Sequence, residues 1–227
     1  NNLALPFLPQ SKQKTAVLTV QLNAEDQFLS SLKRFSNLDS YSLKKGFTKK
    51  QSIKVKEQLG DYDQIIIALG DVSIFPYKNF RVSEESKEII DFLAKRQDVI
   101  FSFFGSPIAY RQFLNLDPLF SASIIAHQDN EYTAKSVAQQ LFGALPFLGK
   151  LPIRLSQKYI NGYGLEHTLI DRLGFALPEQ MNVDSEKLQH IDSIVYEGIE
   201  MQAFPGCQVV VAKEGRIIYS KSFGFQT

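Results

Sequence analysis

Gln64-Ile65-Ile66-Ile67-Ala68-Leu69 is the stretch on which the fold turns. After Gln64 it is apolar without alternation, and a strand that is apolar on both faces is one covered by other elements on both sides. The stretch therefore reads as the central strand of a largely parallel sheet. The sequence around it repeats the pattern such a sheet requires, a short apolar run followed by a longer amphipathic segment. Upstream, Thr15–Val20 reads as a strand, with Asn23 as cap of a helix whose Phe28, Leu29, Leu32 and Phe35 recur at helical spacing. A weaker strand at Leu38–Leu43 leads to Thr48, the cap of a lysine-rich helix that ends near Leu59-Gly60, where Gly60 fits a left-handed stop.

Downstream, Ser83 starts a helix with Glu84 and Glu85 in its first turn and Lys95 and Arg96 in its last, charges that complement the helix dipole. Its inner stripe is Ile89, Ile90 and Leu93. Asp98–Phe103 is the next strand, closed by Gly105-Ser106-Pro107, and Ala122–Ala126 is a further short one ending at His127. Asn130 caps a helix carrying Val137, Ala138, Leu141 and Phe142, and Leu151-Pro152-Ile153-Arg154-Leu155 reads as a last, short strand whose proline confines it to an edge or a strand start. The expected fold is α/β: a three-layer αβα sandwich with a mostly parallel, flavodoxin-like sheet over residues 1–158.

Residues 159–183 are turn-rich, with Asn161-Gly162-Tyr163-Gly164 and Leu177-Pro178, and read as a linker. Asp184 then caps a helix with Leu188, Ile191, Val195 and Ile199 on one face, and Cys207–Ala212 and Arg216–Phe223 form two strands around Glu214-Gly215. One helix and one hairpin bury too little surface to stand alone. Residues 184–227 thus read as the opening of a truncated second domain, whose Val209, Val211 and Ile218 are expected to dock on the α/β domain or on a second copy, making a homo-oligomer.

The totals remove several classes of function. The 25 Lys and Arg balance 24 Asp and Glu, so no global field draws nucleic acid or an anionic surface. The longest apolar runs fall far short of the roughly 20 residues of a membrane span. Cys207, the single cysteine, has no disulfide partner within the chain. His127, His167 and His190 lie too far apart, from one another and from carboxylates at ligand spacing, to form a metal site, so no metal or other cofactor is expected. The first residues, Asn1-Asn2-Leu3, carry neither Met nor a leader pattern, and the natural start is expected to lie elsewhere.

The remaining chemistry is sparse. No closely spaced glycines join a strand to a helix as a phosphate loop requires, and Gly105-Ser106-Pro107 lacks the frame of a nucleophile elbow. Ser11/Lys14, Ser30/Lys33 and Ser42/Lys45 match the S-x-x-K spacing by count, in positions that chance explains. In open α/β sheets, ligands bind at the C-terminal ends of the strands. The residues placed there are Asp71, Ser106, His127 and Asp129, with Glu131 beside them; the first four are the candidate substrate-binding set, and no catalytic residue is assigned. Each also has a structural reading, Asp71 as a turn former and Asp129 beside a helix cap.

Residues from about Thr15 to Leu155 resemble the C-terminal α/β sandwich domain of glycoside hydrolase family 3. The features that carry this run in order: Ile65-Ile66-Ile67-Ala68-Leu69-Gly70, the helix before Asp98-Val99-Ile100-Phe101, Gly105-Ser106-Pro107, Ala138 to Gly143, and Gly149-Lys150-Leu151-Pro152-Ile153, which is similar to the family's G-[RK]-L-P-[VI] signature. Asn1-Asn2-Leu3-Ala4-Leu5-Pro6 looks like the family's segment entering this domain from a catalytic barrel. The resemblance implies that the nucleophile lies on that barrel and that this chain by itself is inert. Many β-glucosidases of the family carry their general acid after the central strand. Asp71 to Arg81 holds no Glu and no adjacent Asp-Arg pair, which implies the β-N-acetylhexosaminidase branch, whose acid/base pair resides in the barrel.

Residues 185–227 resemble the start of the serine β-lactamase and penicillin-binding-protein-like family through a helix, then Phe204-Pro205-Gly206-Cys207 and the two strands. No catalytic residue of that family falls within them. Together the two resemblances imply an extracytoplasmic fusion protein of Bacteroidetes type acting on GlcNAc-type glycosides. Its missing barrel and the remainder of its second domain would be the partners, and a carbohydrate the substrate of the whole. The alternatives are a flavodoxin-like small-ligand module and the C-terminal domain of a β-glucosidase. A cysteine amidotransferase fails on position, since Cys207 lies far from a central strand.

Overall fold

Every residue of β3, Gln64–Leu69, is buried, and the strand lies in the middle of a five-stranded sheet ordered β2-β1-β3-β4-β5. The computed structural model describes Leu5 and residues 13–77, 79–166 and 173–225. The other strands are β1 (Thr15–Val20), β2 (Asp39–Leu43), β4 (Asp98–Phe103) and β5 (Phe120–Ile125), and all four neighbouring pairs run parallel. Five helices accompany them: α1 (Glu25–Lys33), α2 (Lys49–Gln58), α3 (Glu84–Ala94), the short α4 (Pro107–Tyr110) and α5 (Glu131–Leu141). The expected three-layer αβα fold is present.

The alternation of β3 assigns the layers. Ile65, Ile67 and Leu69 join the apolar cluster that includes Val55 and Leu59 beside α2 and Ile89, Ile90 and Leu93 of α3. Ile66 and Ala68 join the opposite cluster, with Phe28 and Leu32 of α1 and Ala134, Val137 and Leu141 of α5. Each fully buried isoleucine contributes about 1.5–3 kcal/mol relative to exposure. β2 is the polar edge, with Asp39, Ser40 and Ser42 exposed, as its weak pattern suggests.

Three capping expectations agree with the structure. Thr48 and Gln51 form a reciprocal capping box, the Ser83 hydroxyl accepts from Ser86 N, and Asn130 accepts from Thr133 N. Three local expectations require correction. The N-cap of α1 is Ala24, without a side-chain bond, because Asn23 turns its amide toward Asp129 instead. The backbone of Gly60 is not left-handed, since Leu59 closes α2 in right-handed geometry. Leu151–Leu155 is no strand of the sheet. Pro152 has no N–H to give, and Leu151 and Leu155 pair their backbones with Tyr163 and Tyr159 of the returning chain, each at 2.8 Å. Leu155 is nevertheless buried in the α2/α3 cluster.

The chain divides into two units, 1–168 and 169–227. Residues 159–183 are more than a connector: 159–163 belong to the turn just described, and Gly174–Phe175 forms β6, parallel to β8 of the second unit. That unit contains α6 (Ser185–Glu200), β7 (Gly206–Lys213) and β8 (Arg216–Gly224), in the sheet order β6-β8-β7. Glu214 and Gly215 both have positive φ, the two-residue turn that suits the twist of an antiparallel hairpin. Asp184 caps α6 by accepting from Glu186 N, and Val195, Ile218 and Phe223 are buried. Val209 and Val211 are half-buried, while Val210, Ile194 and Tyr196 are exposed. His167 falls outside the described residues; His190 is exposed on α6.

Candidate functional site

The sheet order places the crossover reversal between β1 and β3, and a crevice at the C-terminal ends of those strands is where ligands bind in sheets of this topology. The structure brings two of the four candidate residues into direct contact there. Asp71 follows β3 in left-handed conformation, φ 50°, and donates its backbone N–H to Asp129 Oδ2 at 2.8 Å. The Asp71 carboxylate meets Lys45 Nζ at 2.6 Å and Arg81 Nη1 at 3.3 Å. Ser106 and His127 stand on the same edge without a side-chain hydrogen bond to either carboxylate among the described residues. Ser106 precedes α4, its carbonyl accepting from Ala109 N at 2.9 Å. Its neighbour Gly105 lies so close to Val72 that an added Cβ would sit 2.7 Å from the valine Cβ. His127 is exposed and left-handed, φ 58°, at the bend out of β5.

A third acidic group completes the edge. Glu25 opens α1, where the helix dipole favours negative charge, and its nearly buried carboxylate accepts from Ser42 Oγ at 3.1 Å and Lys44 Nζ at 2.5 Å. Glu25, Asp71 and Asp129 are thus each engaged by donors of the chain itself.

The loop from Asp71 to Val82 rises above this edge. Its base is closed by Ser73 N donating to the Phe80 carbonyl at 2.8 Å and by Gln112 Nε2 donating to the Asn79 carbonyl at 3.2 Å. Asn79, Phe80 and Arg81 are all left-handed, with φ of 52°, 56° and 64°, a strained run for residues with side chains. At the tip, Ile74, Phe75 and Tyr77 are 67%, 65% and 75% exposed, three large apolar side chains close together in sequence. A cleft of about 350 Å³ is lined by Ser73, Phe75, Tyr77 and Arg81.

A second hollow, about 360 Å³, lies at the opposite edge of the sheet between Lys14, Asp39, Tyr41 and Tyr62. The two tyrosine hydroxyls there are 3.0 Å apart, and Tyr62 donates to Asp39 at 2.7 Å. Those two bonds, Tyr41 first, hold the Tyr62 phenol above its ordinary range. The hydroxyls are already used within the protein, and the hollow lies at the strand starts, away from the crevice.

Asp71 was recognisable in the sequence as the residue ending the core strand. Lys45 and Arg81 were missed as its partners, and Asn23 as a partner of Asp129. Arg81 could have been found as the basic residue closing the same loop, whereas Lys45 comes from the β2–α2 connection and no sequence spacing signals it.

The fold and this crevice define a doubly wound α/β domain with β2-β1-β3-β4-β5 order. No protein-family model matches the chain, and no curated protein matches it in sequence. Among solved structures it is similar to a glycoside hydrolase family 3 β-N-acetylglucosaminidase from Paenibacillus sp., with TM-score 0.53 and 15% identity over 66% of this chain. It is also similar to a fungal multi-domain family 3 β-N-acetylglucosaminidase that contains a glucosamine N-acetyltransferase region, with TM-score 0.50 and 14% identity over 89% of this chain. The chain spans 29% and 21% of the lengths of those two proteins. At these identities the likeness is one of fold.

Proposed function

We propose that the chain is an accessory α/β domain of a glycoside hydrolase of family 3 type, whose parent hydrolyses GlcNAc-type glycosides outside the cytoplasm. The observation that supports this most is the fold shared with the Paenibacillus β-N-acetylglucosaminidase over 66% of the chain, of which the chain spans only 29%. The Gly149-Lys150-Leu151-Pro152-Ile153 motif agrees with it. In this reading catalysis belongs to a separate barrel, and the C-terminal edge of the sheet faces it. The apolar tip Ile74, Phe75 and Tyr77 supplies the contact, and Asp71, Ser106 and His127 lie at the rim of the sugar pocket. The engagement of Asp71 by Lys45 and Arg81 suits a supporting residue better than a proton donor. Residues 184–227, whose described part holds a helix followed by an antiparallel hairpin, are proposed as the opening of a serine β-lactamase-like module.

The test is turnover of a chromogenic N-acetylglucosaminide by the purified chain. No hydrolysis above buffer is expected. Hydrolysis by the chain itself, above all hydrolysis that Asp71→Ala or His127→Ala abolishes, would overturn the accessory role. In the full-length parent, replacing Ile74, Phe75 and Tyr77 by serine should lower kcat/KM while each unit keeps its circular dichroism. Unchanged kinetics would remove the loop from the sugar pocket and its barrel contact.

A further inference from the structure

The loops on both sides of the switch point converge on one carboxylate. Asn23 donates to Asp129 Oδ2 from its backbone N–H and from its side-chain amide, each at 2.9 Å, and Asp71 N donates to the same oxygen at 2.8 Å. Ala24 N, at the start of α1, donates to Oδ1 at 3.0 Å. Four donors, three of them main-chain, therefore surround a single anionic group. Gly70 makes room for it: a Cβ there would press on Asp129 Oδ2 and lie 2.8 Å from Leu22 Cα. Main-chain N–H groups at a helix start, beside a residue without a side chain, are the elements of an anion cradle, and the crevice between β1 and β3 is where sheets of this order hold ligands.

We propose that Asp129 is the permanent occupant of this cradle. Its carboxylate stands where the anionic group of a bound ligand would stand, so the crevice is a joint that locks the β1, β3 and β5 loops together and is closed to outside anions. Asp129 then acts as a positioning residue: through Asp71 N it fixes the base of the loop that carries Ile74, Phe75 and Tyr77. A flavodoxin-like ligand module would need this crevice vacant. The inference depends on hydrogen bonds within the chain and stands whether or not the parent is a glycosidase.

Emptying the cradle tests the proposal. Asp129→Gly should melt on the order of 10 °C below the native chain. Sodium formate, compared with sodium chloride at equal ionic strength, should restore a substantial part of that loss while leaving the native chain unchanged. A folded Asp129→Gly protein that melts with the native chain, or that formate fails to stabilise, overturns the proposal. So does a native chain that formate or inorganic phosphate stabilises as much as it does the variant. Should Asp129→Gly fail to fold, the backbone amide resonances of Asn23, Ala24 and Asp71 in the native chain decide. They should stay in place as formate and phosphate are added, and saturable shifts at all three would show an open site.

Discussion

Gly70 has no Cβ because the Asp129 carboxylate and the Leu22 backbone already occupy the space. Gly70→Ala should cost about 1–3 kcal/mol, the usual penalty of overpacking a close contact, read as a lower urea midpoint with unchanged slope. A midpoint equal to that of the native chain would mean that the crevice is looser than its hydrogen bonds indicate. Ser102 presents the opposite case. It is fully buried on β4, alternating with Phe101 and Phe103, and its hydroxyl has no partner among the described residues. An unpaired buried hydroxyl stabilises nothing, so Ser102→Ala should leave stability unchanged or raise it by up to about 1 kcal/mol. A loss greater than that would reveal a partner for the hydroxyl. Neither effect was legible beforehand, because sequence spacing does not report which backbone approaches a glycine or which serine lacks a partner. Asp129 shows the same limit: in sequence it reads as a candidate ligand contact at a strand end or as an acid beside the Asn130 cap, and its four donors come from residues 23, 24 and 71.

Among the elements, those carried by local rules were readable. β3 declared its central place by being apolar on both faces, and Thr48, Ser83, Asn130 and Asp184 declared helix starts through hydroxyl, amide or carboxylate side chains that bond the first turn. Leu151–Leu155 misled because its apolar residues do bury, yet against the α2/α3 cluster from a turn. The α6–β8 contact involves a network that only folding assembles. Asp192 accepts from Lys221 Nζ at 2.5 Å and from the Tyr219 hydroxyl, and Tyr196 meets Phe223 edge-on at 5.4 Å. Lys221, then Tyr219, hold the Asp192 carboxyl below its ordinary value, while desolvation and then the bond to Asp192 push Tyr219 up to about 12. A depressed acid contributes stability at neutral pH that fades as pH falls below the usual carboxylate range. A raised phenol contributes stability that is complete below its unfolded value of 10.0 and is lost as pH climbs to about 12. Ultraviolet titration, differenced against Tyr219→Phe, should therefore show one tyrosine ionising near 12. Asp192→Asn should bring that midpoint down toward the ordinary one; a midpoint already at 10 in the native chain would dissolve the network.

At the scale of the whole molecule, both large apolar clusters consist of residues between Leu5 and Tyr159, all within the first unit. The second unit buries Val195, Ile218 and Phe223 but leaves Ile194, Tyr196 and Val210 at 50% exposure or more. Surface-to-volume scaling makes a unit of that size marginal, whereas the first is large enough to hold its own core. A chain ending at residue 168 should therefore retain the main urea transition to within about 1 kcal/mol, since both large apolar clusters, the main source of stability, are kept whole. Residues 169–227 alone should give a shallow transition whose midpoint rises with protein concentration, because association is the available way to cover Ile194, Tyr196 and Val210. The intact chain should show the same concentration dependence in sedimentation if those side chains meet a second copy. Loss of cooperative unfolding in the shortened chain would mean that the second unit completes the core of the first, and the division at 168 would then not be a boundary between independently stable parts.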